Sequence, residues 1–208
     1  MSNFEWICWG WMGVAAITHV ILFYVKAPFG RHTSEKWGVT MDNKWGWFVM
    51  ELPSLLIMAY FLIKGTYSQQ SYAWILFTVW MLHYINRTII YPMRIKPTPK
   101  RMPLVIVGSA VFFNCMNAGL NGYYLAEIAP AADYGQQWLT SLHFLSGGIV
   151  FLTGMLINWH SDSVLINLRN KGESNYRVPH GLLFDRVSSP NLLLSLIHIS
   201  EPTRRRGI

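Results

Sequence analysis

Residues 139–163 read L-T-S-L-H-F-L-S-G-G-I-V-F-L-T-G-M-L-I-N-W-H-S-D-S. From Leu139 to Ile157 there is no Asp, Glu, Lys or Arg, which is the signature of a membrane-crossing helix. At Asn158 the character changes. The segment from Asn158 to Asn191 is the densest collection of polar groups in the chain. Asn158 and Asp162 lie four apart, so a helix leaving the membrane puts both on one face. Arg169, Lys171, Arg177 and Arg186 follow, with Gly172, Pro179 and Gly181 breaking the helix into loop. Arginine forks and turn glycines suit an anionic ligand at the membrane surface, and a carboxylate such as Asp162 accepts from ribose hydroxyls. A solvated basic loop resting on anionic lipid is the alternative reading of the same residues.

Working outward, the 208 residues are 52% hydrophobic and only 13% charged, with 10 Trp, 10 Tyr and 11 Phe. The apolar residues fall in blocks rather than at amphipathic spacing, which predicts an all-α membrane bundle. Five spans are expected, at Trp6–Val25, Trp45–Ile63, Tyr72–Met93, Pro103–Ile128 and Leu139–Ile157. The first follows Glu5 with no basic region or small-residue cleavage site before it, so it reads as a retained span. Cys8 and Cys115 both sit in apolar runs, which excludes a disulfide framework and a cysteine metal site. Basic residues cluster after spans one (Lys26, Arg31, Lys36, Lys44), three (Arg94, Lys96, Lys100, Arg101) and five, while the opposite side has Lys64 alone. That asymmetry predicts an external or lumenal N-terminus and three cytoplasmic basic segments. It also accounts for the net charge of +7 without nucleic acid. The membrane would be endoplasmic reticulum in a eukaryote and inner membrane in a bacterium.

The end of the chain reads differently. L-S-L-I-H-I-S-E-P-T-R at 194–204 matches the translation of a transposase adapter used in sequencing libraries. Residues 194–208 are therefore expected to be a scar, native sequence stopping between Asn191 and Leu193.

Polar residues inside the apolar blocks are the candidate site. Glu51, in M-E-L-P-S at 50–54, costs about 2.5–3.5 kcal/mol to insert and should face the bundle interior or meet a neighbouring Arg. Pro53 should kink its helix beside it. Tyr84, Arg87, Thr88 and Tyr91 share one helical face. A tyrosine hydroxyl and a buried carboxyl kept protonated could together polarise a ketone oxygen; a polar stripe linking helices is the other reading. In the fourth span Asn114, Asn117, Asn121 and Tyr124 form a further stripe, expected to line the interior, with Gly119 and Gly122 allowing close helix approach.

These motifs together resemble the steroid 5α-reductase family. The resemblance is carried by F-G-R-H-T at 29–33, M-E-L-P-S at 50–54, H-Y-I-N-R-T at 83–88, N-G-Y-Y-L at 121–125 and N-W-H-S-D at 158–162. It continues through L-R at 168–169, G-E at 172–173, Y-R-V-P at 176–179, V-S at 187–188 and P-N at 190–191. The resemblance implies a single membrane-embedded reductase domain over 1–193, with five of an expected seven spans. It implies NADPH as cofactor and reduction of the C4–C5 double bond of a 3-oxo-Δ4 steroid. Glu51 and Tyr84 match the catalytic pair at the 3-oxo group. Asn158, Asp162, Arg169, Tyr176, Arg177 and Asn191 match the cofactor-binding positions, so 158–191 is expected to be the cytoplasmic cofactor segment. Met50, Asn117 and Asn121 are candidate substrate contacts, and no metal is expected.

Three departures stand out. Met50 stands where mammalian members carry Gln and plant-like members carry Met. Leu182 replaces the second Gly of the family's Gly-Gly pair. The family continues past Pro190-Asn191 with Gly-Glu and two further helices, so the chain as it stands is expected to be inactive. Other readings are a polyprenol or trans-2-enoyl-CoA reductase, an isoprenylcysteine-type methyltransferase, and a non-catalytic membrane scaffold or lipid-binding protein.

Overall fold

A computed structural model describes residues 2–24, 37–66, 72–96, 101–129, 131–168 and 182–185. The loop motif at 29–33, together with Arg169, Lys171, Tyr176, Arg177, Arg186, Asn191 and the 194–208 tail, lies outside the described residues.

The expected all-α architecture is observed. Helix α1 (Asn3–Tyr24) opens with a capping box, in which Ser2 N–H donates to Glu5 Oε2 at 2.8 Å and Glu5 N–H to Ser2 Oγ at 3.3 Å. Helix α2 (Asn43–Lys64) starts at Asp42, whose carboxylate accepts from the backbone N–H groups of Lys44 and Trp45. Helix α5 spans Leu104–Tyr123 and α7 spans Leu142–Asn167, the latter capped by Ser141. Among the described residues, four helices are long and apolar enough to cross a membrane: α1, α2, α5 with its extension to Ile128, and α7. The remaining expected span, Tyr72–Met93, is helical but not uniform. It consists of α3 (Trp74–Ile85), a π-helical turn at Asn86–Ile90 and α4 (Tyr91–Arg94). A second π-helical turn, Tyr124–Ile128, follows α5. Each such turn inserts a residue, re-aiming the side chains beyond it, and such turns concentrate at functional sites. A short 3₁₀ turn (Ala131–Tyr134) and α6 (Gln136–Leu139) lead into α7.

One feature had no sequence signal. Strands β1 (Thr40–Asp42) and β2 (Arg101–Pro103) pair antiparallel, Met41 opposite Met102, just before α2 and α5 begin. Arg101 reinforces the clip, its guanidinium donating to the hydroxyl and carbonyl of Thr40, both at 2.8 Å. From this clip α2 and α5 run side by side in the same direction. Contacts climb together along both, from Ser54 with Asn114 to Thr66 with Glu127. Gly122 permits the approach: a Cβ there would lie 2.4 Å from the Phe61 ring, whereas one at Gly119 would meet nothing.

The core is small and sits along α2. One apolar cluster joins Trp47, Met50, Met102 and Val107; a second joins Met58, Phe77 and Ala126. Between them the buried residues are polar: Glu51, Ser54, Tyr84, Asn86, Thr88 and Asn114.

Candidate active site

The buried positions of α2 are Gly46, Trp47, Met50, Glu51, Ser54 and Met58, one stripe at helical spacing. Glu51 is 6% exposed. It is met by Arg87 on the π turn, whose Nη2 and Nε reach Glu51 Oε1 at 2.7 and 3.2 Å. The guanidinium lies 4.7 Å from the Trp47 ring centroid and 5.9 Å from that of Tyr91. The two rings meet edge to face at 5.2 Å. Two aromatic faces and one carboxylate thus hold a single arginine inside an apolar bundle, each supplying the negative potential it needs. Glu51 thus accepts from a neighbouring arginine, one of the two arrangements that its sequence setting offered. Burial penalises an unpartnered carboxylate, and a charge-assisted pair offsets part of that penalty.

Tyr84 is 3% exposed and wedged by its neighbours. Trp80 stacks on it at 5.3 Å and 19°, and His83 stands edge-on at 5.3 Å and 84°. Its hydroxyl donates to Asn114 Oδ1 at 3.3 Å. The same oxygen accepts from Ser54 Oγ at 2.8 Å, and Asn114 Nδ2 donates to the Met50 carbonyl at 2.7 Å. Three helices therefore meet at one amide, which ties Tyr84 to the residues flanking Glu51. Thr88, fully buried on the π turn, has a hydroxyl with no hydrogen-bond partner among the described residues.

Glu51, Tyr84 and Met50 are thus brought to one place, Met50 presenting its carbonyl to Asn114 while its side chain joins the apolar cluster. Asn117 and Asn121 are not in this cluster. Asn121 is exposed and donates to the carbonyl and side chain of Asn117 one turn back. The expectation that the whole asparagine stripe lines the interior is corrected: Asn114 alone is buried. The packed face of α5 is Val107, Asn114, Ala118 and Gly122, since the small residues let α2 approach and the larger amides are turned to its flank.

On α7 the buried positions are Gly154, Asn158, Ser161 and Asp162, with Asp162 2% exposed. Asn158 and Asp162 do share one face, and that face is turned inward. Arg94 at the end of α4 donates to Ser163 Oγ at 2.6 Å, joining this end of α7 to the Tyr84 helix. Carboxylate, amide and hydroxyl in one patch are a donor and acceptor set that fits ribose hydroxyls. Among the described residues no His, Cys, Asp and Glu group forms a metal site. Sequence reading passed over Ser54 and Asn114 as site members and gave Arg87 only as part of a stripe; pairing across helices has no periodicity to betray it.

Comparison with known proteins bears on this geometry. The family model described as 3-oxo-5-alpha-steroid 4-dehydrogenase matches residues 100–199. Steroid 5-alpha-reductase DET2 of Gossypium hirsutum is 32% identical over 181 residues, covering 86% of this chain and 69% of its own length. DET2 of Arabidopsis thaliana is 34% identical, with 84% and 68% covered. The 3-oxo-5-alpha-steroid 4-dehydrogenase 1 of Bos taurus is 35% identical, with 86% and 69% covered. At that identity over most of the chain, the protein carrying this buried tyrosine–asparagine–glutamate cluster belongs to the steroid 5-alpha-reductase family.

Proposed function

We propose that the chain carries the active-site residues of an enzyme that reduces the C4–C5 double bond of a 3-oxo-Δ4 steroid with NADPH. One observation carries this reading: Tyr84 and Glu51, on different helices, share one buried polar cluster through Asn114 and its neighbours Met50 and Ser54.

A steroid is nearly all apolar, so a site between membrane helices suits it, and its one reactive handle is the 3-oxo oxygen. Tyr84 donates a hydrogen bond to that oxygen. Glu51 is the second group at the carbonyl; paired with Arg87 in the structure, it donates there only as a protonated carboxyl released from the arginine as substrate arrives. As C5 accepts hydride, charge moves onto the oxygen to give an enolate, and a donor already aimed there stabilises that state more than the ketone. One such donor is worth roughly 3 kcal/mol. A proton taken up from solvent at C4 then restores the ketone. Bound NADPH supplies the hydride. Asn158 and Asp162, with Arg169, Tyr176, Arg177 and Asn191 beyond the described residues, would hold it.

The test is the protein extended to the full length of its steroid-reductase relatives, expressed in membranes and given NADPH and progesterone or testosterone, with the product's C5 stereochemistry identified. A 5α-dihydro product lost on Tyr84→Phe or Glu51→Gln supports both reaction and site. NADPH oxidation with an enoyl-CoA or a polyprenal instead would move the substrate class, and no NADPH use with any of these would sink the reading.

A further inference from the structure

We propose that the corner formed by Asp133, Tyr134 and Trp138 binds the phosphocholine headgroup of a membrane phospholipid. It lies at the end of α7 opposite to Asn158 and Asp162, and it does not depend on the steroid-reductase reading. A pocket of about 510 Å³ opens there, lined by Asp133, Tyr134, Gln137, Trp138, Ser141 and His143. That size is ordinary for a small-molecule site.

Its walls are held in place. The Tyr134 and Trp138 rings have centroids 5.0 Å apart and stand at 73°, two sides of a corner rather than one flat wall. The Tyr134 carbonyl accepts from the Tyr72 N–H at 2.8 Å, which ties this turn to the start of α3. Trp138 is backed by Phe144, with centroids 4.4 Å apart, and its carbonyl accepts from the Ser141 N–H at 3.0 Å.

Charge selects the ligand. Glu5, Glu127 and Asp133 lie at this end of the bundle, where Lys64 is the one Lys or Arg among the described residues. Glu5 closes the capping box of α1, and Glu127 accepts from the Thr66 hydroxyl. The Asp133 carboxylate has neither an ion pair nor a hydrogen bond among the described residues. A carboxylate beside two aromatic rings attracts a cation, and aromatic corners of this kind suit a quaternary ammonium. Gln137, Ser141 and His143 bring amide, hydroxyl and imidazole donors for the adjoining phosphate. Two observations make the ligand a lipid. Tyr and Trp at the mouth of a membrane helix sit at headgroup level. From the rim of the pocket Leu142, Leu145, Ile149, Leu152 and Leu156 descend α7 at helical spacing, all exposed, as a track for an acyl chain.

The test is to purify the chain in detergent, titrate it with dioleoyl phosphatidylcholine and count retained lipid by native mass spectrometry. Dioleoyl phosphatidylglycerol, with the same tails and no ammonium, is the comparison. Phosphatidylcholine is expected to be retained about tenfold more tightly. Asp133→Asn and Trp138→Leu should each weaken it about tenfold and leave phosphatidylglycerol unchanged, and Trp138→Phe should restore most of the loss. Asp133 is exposed, so its substitution costs little stability, and that arm stands even if Trp138→Leu does not fold. Equal retention of the two lipids, or phosphatidylcholine binding unmoved by Asp133→Asn, would overturn the proposal, since acyl chains alone would then hold lipid to α7. Tail-less phosphocholine binding as tightly as the intact lipid would overturn the lipid assignment in favour of a soluble ammonium ligand.

Discussion

Helices α2 and α7 are of similar length and both apolar enough to span a bilayer, yet they are built in opposite ways. A third of the most apolar window of α2 is buried (33%), against 6% for α7. Around α2 the interior mixes Trp47, Met50 and Met58 with Glu51 and Ser54. On α7 every buried side chain or backbone position is Gly, Asn, Ser or Asp, while Leu145, Ile149, Leu152 and Leu156 face outward. In water that arrangement would be inside out. In lipid it is the expected one, because apolar contact gains little over hydrocarbon and polar groups must find each other. Hydropathy therefore marks both helices as crossing and says nothing of which is a packing scaffold and which presents a polar face.

Substitutions can break this contrast, and the largest effect should come where charge is buried. Arg87→Ala leaves Glu51 without its cation between α2 and the π turn, and the loss of stability should be about 3–5 kcal/mol, read from thermal unfolding in detergent. Arg87→Lys should recover only part of it, since a point charge cannot fill the fork or lie flat on Trp47. Next, Tyr84→Phe removes one hydroxyl without a cavity. In the protein extended to the full length of its relatives, it should lower kcat for a 3-oxo-Δ4 steroid by about 10²–10³-fold, at nearly unchanged stability. Third, Gly122→Ala drives a methyl into the Phe61 ring and should destabilise by about 1–3 kcal/mol, whereas Gly119→Ala, one turn earlier, should not. The smallest effect belongs to α7: Ile149→Ala on its outward face should stay within about 0.5 kcal/mol in a bilayer mimic. A large loss there would mean that this face is packed against protein, and the contrast with α2 would fall.

Much of this was legible beforehand because membrane helices are written in blocks. Glu51 announced itself as the one carboxylate in its span, and Tyr84 lay in a polar stripe with Arg87. The parts that escaped depend on phase and on distant pairing. An asparagine at 114 and others at 117 and 121 look equivalent on a helical wheel, but only the packing of Ala118 and Gly122 against α2 decides which is inside. The π turns at Asn86–Ile90 and Tyr124–Ile128 shift that phase without any residue that signals it. An arginine partner for Glu51 was one of two readings of its setting, but neither which arginine nor the shared amide of Asn114 is encoded by a local pattern, because these residues lie far apart in the chain.

The β1–β2 clip has a consequence for how the chain can change in length. Because α2 and α5 leave one knot in the same direction, and Thr66 meets Glu127 near their far ends, the two helices form a ladder fixed at both ends. A residue gained or lost in α2 alone would slide Ser54 past Asn114 and turn Glu51 away from Arg87. Insertions should therefore be tolerated in the loops outside the ladder and rejected within it, unless both rails change together or a π turn takes up the extra residue. The π turn at Tyr124–Ile128 sits at the end of one rail, where such a correction would be made.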